Sequence, residues 1–129
     1  MNLQYEQEQF IALIENEYKD KPIITTEFLD LDSFKNDFTL FVDFSNLKFE
    51  TDKDDDCQDY GKLAIQCYLV LRNDTAKNLK NKLLNYTDNF FNLLRDNDIK
   101  IEDIDFYGFA SGTKYIVASA FNLILNIDL

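Results

Sequence analysis

The sequence predicts an α+β fold: an antiparallel sheet with an N-terminal helix and one long central helix packed on one of its faces. Three observations predict it. Residues 62–72 alternate, with Leu63, Ile65, Cys67, Leu69 and Leu71 on one side and Lys62, Gln66 and Arg72 on the other, which is the period of a half-buried strand. Residues 75–95 instead place Ala76, Leu79, Leu83, Tyr86, Phe90 and Leu94 at steps of three or four, which is one face of a helix. Around these two segments the pattern reads helix, long hairpin, long helix, final hairpin. No composition shift, repeat or linker divides residues 1–129, so the chain is read as one domain, a size at which an ordinary core needs no staples.

Each element follows from local chemistry. Leu3, Phe10, Ile14 and Tyr18 recur at roughly helical spacing, with Ile11 and Leu13 widening the stripe and Glu6 and Glu8 early, where they favour the helix dipole. Pro22 marks the exit. Segment 23–37 is an irregular connection: Ile23, Ile24, Thr25 and Thr26 suit a short strand, while Asp30, Asp32, Asn36 and Asp37 suit turns. Residues 38–50 form the first strong β region, and either Ser45-Asn46 turns the chain or one longer bent strand runs through. Phe38, Phe41, Phe44 and Phe49 fall on both sides of that strand, a pattern of central burial or of cover by a partner chain.

Residues 51–59 are a loop by composition and Gly61 ends it. Asp74 is placed to cap the long helix, Leu84, Phe91 and Leu93 broaden its apolar face, and Asp96-Asn97-Asp98 stops it. Residues 99–109 hold a short strand around Ile104–Tyr107, Ala110-Ser111-Gly112 turns, and 114–127 form a long final strand. That strand is expected to leave an open sheet edge, which invites pairing with another subunit.

Charge and residue usage narrow the function. The chain carries 24 acidic and 13 basic side chains, a net charge of −11, which disfavours a general nucleic-acid binder and an anionic membrane surface. Residues 1–64 hold 16 acidic and 6 basic groups, so the front half makes most of the negative field. There is no histidine, which removes the commonest general base and zinc ligand and leaves no Ser-His or Cys-His pair. Cys57 and Cys67 stand ten apart without zinc spacing; Cys67 reads as a core residue, and the pair suits a reduced, cytosolic setting without implying a disulfide. The start of the chain lacks a signal peptide's pattern, and no apolar stretch is long enough to span a membrane.

The acidic loop is the one segment that invites a site. Asp52, Asp54 and Asp56 have the opening spacing of a calcium-binding EF-hand loop, but the sixth and twelfth positions hold Cys57 and Leu63 and the flanks are strands. The reading that fits is a solvated hairpin tip or an interaction loop made of Asp52, Asp54, Asp55, Asp56 and Asp59; weak divalent-ion binding stays open. Carboxylate pairs such as Asp103 and Asp105 arise by chance in so acidic a chain, and Gly108–Gly112 has neither the lysine nor the helix of a phosphate loop. No catalytic residue, cofactor site or metal site is expected, and the chain is read as non-enzymatic.

The run Leu63–Leu71, the polar break after it, the helix with Leu79, Leu83-Leu84, Tyr86, Phe90-Phe91 and Leu93-Leu94, and the closing strand Tyr115–Ile127 together resemble the tail-terminator proteins of tailed bacteriophages and prophages. The likeness is one of order and pattern over most of the chain, and it supplies no residue motif. It implies a homo-oligomeric, six-membered ring without cofactor that terminates the tail tube. Its partners would be the tail-tube protein and head-tail connector proteins. It would be found in the host cytoplasm during assembly and then in the virion or tail particle. The acidic front half would suit a lumen through which DNA passes. Small acidic secretion chaperones, dimers that hold an extended effector segment, share a similar order of elements, although they usually end in a further helix.

Overall fold

The computed structural model describes residues 2–20, 23–26, 37–51, 60–73, 75, 77–111 and 114–128. The elements are α1 (Leu3–Glu17), β1 (Ile23–Thr26), β2 (Phe38–Thr51), β3 (Tyr60–Asn73), α2 (Leu79–Asp96), β4 (Lys100–Ser111) and β5 (Lys114–Asp128). The strands form one five-stranded sheet in the order β1-β2-β3-β5-β4. All neighbours are antiparallel except β1 and β2, which run parallel. The α+β architecture with an N-terminal and a central helix is therefore present.

The topology corrects one expectation. The final strand leaves no edge, because β5 lies between β3 and β4. Both β3 and β4 are antiparallel to β5 and hence parallel to each other, and α2 connects them across the inserted strand, a split β-α-β arrangement. The two edge strands of the sheet are the short β1 and the twelve-residue β4.

Helix ends obey local rules. Asn2 caps α1: its side-chain oxygen accepts from the Tyr5 amide at 3.0 Å. Asp74 lies outside the described residues; Asn78 stands at the N-cap position of α2, in the left-handed region at φ 62° and without a side-chain capping bond. The helix starts later than its apolar pattern because residues 77–78 turn before it. At the other end Asp98 takes φ 57°, the Ile99 amide donates to the Leu94 carbonyl at 2.9 Å and the Asp98 amide to the Arg95 carbonyl at 3.1 Å. This is a Schellman motif with aspartate in place of glycine, and Ile99 packs against the core beside Leu94 as the motif favours.

The strands settle two open alternatives. Residues 23–26 form the short strand, and residues 38–51 form one bent strand with a bulge between Asp43 and Lys48 rather than a turn at Ser45-Asn46. β4 is longer than expected because a second bulge, between Ile101 and Asp103, lets it keep pairing with β5 while its alternation slips. The acidic loop, Asp52, Asp54, Asp55, Asp56 and Asp59 with it, lies outside the described residues, as does the Gly112 turn. At the start of β3, Gly61 permits a close approach: a Cβ there would overlap the Phe49 ring from the neighbouring strand.

The main core lies between the helices and one sheet face. Phe10 and Ile14 of α1, Leu79, Leu83, Phe90 and Leu94 of α2, and the alternating residues of β2, β3 and β5 are buried together. Cys67 is buried there as expected, and burial holds its thiol protonated far above the usual range. Aromatic rings tie the layers: Phe90 meets Phe121 edge-on at 4.9 Å, Tyr18 at 6.2 Å, and Phe38 meets Tyr86 at 4.6 Å.

Burial, with the charge of Glu17 added, pushes the Tyr18 hydroxyl up to about 12 from 10.0. The neutral phenol is thus favoured by folding. Its contribution is whole below pH 10 and is lost as pH rises through 12. Tyr18→Phe should remove part of the alkaline loss of stability, on the order of 1 kcal/mol after screening by solvent. Urea titrations of both proteins between pH 9 and 12 check this; parallel pH profiles would refute it.

Candidate interaction surface

Two surfaces carry unusual chemistry. The first is the sheet face turned away from the helices. Strand register places Asp43 opposite Gln66, Gln66 opposite Asn122, and Asn122 opposite Asp103, one polar row across four strands. The Gln66 amide donates to Asn122 Oδ1 at 2.9 Å, the Asn122 amide donates to Asp103 Oδ1, and the Tyr68 hydroxyl donates to Gln66 Oε1 at 3.3 Å. Burial, then the nearby Asp43 carboxylate, raises the Tyr68 pKa. Asp43 and Asp103 border the two bulges. The row works as a register lock, since a slip of one residue would break every bond and turn the row to the other face. Beside it Phe41, Val70, Ile116 and Ala118 form a second, smaller buried cluster.

The second surface is the β4 side of the domain. Phe106 sits opposite Ser119 and therefore on the helix-facing side, where Ser119 meets Thr87 of α2 at 3.0 Å. Tyr107 points to the other face. Both are half exposed, Phe106 at 51% and Tyr107 at 52%. At about 3.6 residues per turn, Tyr86 turns toward β2, Thr87 toward β5, and Leu84 and Phe91 lie further round, toward β4. These two are exposed at 41% and 38%, which corrects the expectation that they complete the buried face of the helix. The helix lies over β3 and β5 and reaches β4 where Ile101 and Ile104 join the core, but it leaves Phe106 half exposed. Among the described residues no strand pairs with the outer side of β4, which is twelve residues long.

Charge divides β4 in two. Its first half carries Lys100, Glu102, Asp103 and Asp105; its second half, Phe106 to Ser111, carries no charge. Charges on an edge strand discourage pairing, and a long apolar edge invites it. The division was visible in the sequence, but its position at an edge was not, because edge and centre differ only in what the rest of the chain places alongside.

Among the described residues no three His, Cys, Asp or Glu side chains are placed to hold a metal ion, and no helix is long and apolar enough to cross a membrane. An open cleft between α1 and the end of α2, bordered by Phe10, Leu13, Asp98, Leu125 and Asn126, brings together no nucleophile and base. No protein-family model matches the chain, and no curated protein matches it in sequence.

Proposed function

We propose that this is a non-enzymatic assembly protein that acts as a homo-oligomer, in its most specific form a tail-terminator ring that closes the tail tube of a phage and joins it to the head. The observation that carries self-association is the β4 edge, where Phe106, Tyr107, Leu84 and Phe91 expose apolar surface beside a strand whose outer side has no neighbouring strand among the described residues. The order of helices and strands supports the ring form, by resemblance. The acidic balance of residues 1–64 suits a passage for DNA, which such a surface repels.

A second reading, a dimeric acidic chaperone that holds an extended segment of a partner, is favoured by a specific observation. The charged and uncharged halves of β4 suit a two-fold contact. A ring with one face for a tube and another for a connector needs head-to-tail contacts instead.

Light scattering over a concentration series, with and without a tail-tube protein, tests both. A six-subunit mass is the result expected of the ring. A dimer of about 30 kDa, twice the 15.2 kDa chain, moves the assignment to the chaperone. A single-chain mass under every condition, tube protein included, overturns self-association in either form.

A further inference from the structure

We infer that β4 pairs antiparallel with β4 of a second copy across a two-fold axis at Phe106, joining two sheets into one. The inference rests on the self-association proposed above and on its two-fold form, since a ring with two different faces needs head-to-tail contacts.

Charge selects the geometry. Each copy has a net charge of −11, so contact is favoured only where like charges stay apart. Parallel pairing of two β4 strands would set Glu102, Asp103 and Asp105 against themselves, and like charges directly opposite are destabilising. Antiparallel pairing moves each acidic stretch beside the uncharged Tyr107–Ser111 of the other copy. The register follows from the same rule. An axis at Asp105 would oppose two Asp105 carboxylates, and an axis at Ile104 would oppose Asp103 to Asp105. An axis at Phe106 opposes Asp105 to Tyr107 and Asp103 to Phe109, and pairs Asp103 through Phe109 in phase, up to the bulge at Glu102.

Packing agrees. In this register opposed residues share a face, so both helix layers lie on the same side of the joined sheet. The two Phe106 rings meet at the axis on that side, and Leu84 and Phe91 of each α2 flank them. The apolar groups that α2 leaves uncovered at 38–51% exposure thus gain cover together. Aromatic anchors at the centre of a contact with charges toward its rim are the usual anatomy of a stable interface. The contact builds pairs: a dimer by itself, or an even-numbered assembly whose two faces are equivalent.

A residue on the axis is opposite itself, which gives a direct test. Directly opposed Cα atoms stand about 4.5–5.5 Å apart, within the span of a disulfide. Phe106→Cys, made with Cys57→Ser so that the buried Cys67 is the other thiol, should form a covalent dimer under mild oxidation. Tyr115→Cys, also exposed but away from the axis, should not. Phe106→Glu should raise the dissociation constant of the dimer at least about thirtyfold while leaving the melting temperature of the monomer nearly unchanged. Should that variant not fold, the cysteine pair decides. An oligomer by light scattering without the Phe106→Cys cross-link, or with equal cross-linking at position 115, overturns the pairing and leaves self-association standing. A single-chain mass at every concentration overturns the pairing as well, and continued monomer behaviour with tube protein present overturns the wider reading too.

Discussion

Phe90→Ala is expected to destabilise the protein by about 3–5 kcal/mol, the range for deleting a buried aromatic ring. Phe90 is fully buried and stands where three elements meet, edge-on to Phe121 of β5 and within ring contact of Tyr18 at the end of α1. The loss combines apolar transfer, the cavity left between layers that cannot close over it, and the two ring contacts, each worth roughly 0.5–1.5 kcal/mol. For a domain of this size the melting temperature should fall by on the order of 10 °C. The neighbouring substitution Phe91→Ala is the internal comparison: its ring is exposed, so at the same low protein concentration it should cost less than about 1 kcal/mol. Equal losses for the two would mean that the helix is rotated from the orientation described above.

The next largest effect is expected at Thr87, one turn earlier on the same helix. Its hydroxyl lies 2.7 Å from the Leu83 carbonyl and 3.0 Å from the Ser119 hydroxyl, and both residues are buried. A hydroxyl has one proton, so Thr87 donates to the carbonyl and accepts from Ser119. Thr87→Val keeps the shape and leaves the Ser119 hydroxyl buried without its acceptor, at a cost of about 1–3 kcal/mol. Adding Ser119→Ala removes the stranded group and should recover most of that loss. Denaturant titrations of the four proteins in the cycle measure the coupling. Strictly additive losses would show that the two hydroxyls do not act as a pair.

That pair also shows where sequence reasoning stopped. Thr87 sits at a buried helix position and Ser119 in an apolar strand, and each looks like a polar interruption by itself. Only the register of β5 under α2 turns two interruptions into one satisfied contact. The polar row from Asp43 to Asp103 is the same kind of fact: four ordinary polar residues on four strands become a lock once the strands align.

Local period and turn chemistry were enough to reveal the two helices, the alternation of β3, the burial of Cys67 and the α+β class, because these depend on neighbours a few residues away. The same local rules misjudged Leu84 and Phe91, since a helix pattern says how wide the apolar stripe is but not how much sheet lies beneath it. They also placed the open edge on β5. Which strand lies at an edge is decided by long-range pairing, and the insertion of β5 between β3 and β4 is invisible to any window of sequence. Composition and order therefore determined the class of molecule, an acidic α+β chain without histidine. The tertiary structure alone decided that β4 is an edge: burial of the core consumed one side of α2 and both sides of β5, and left β4 with exposed apolar side chains and no strand on its outer side among the described residues.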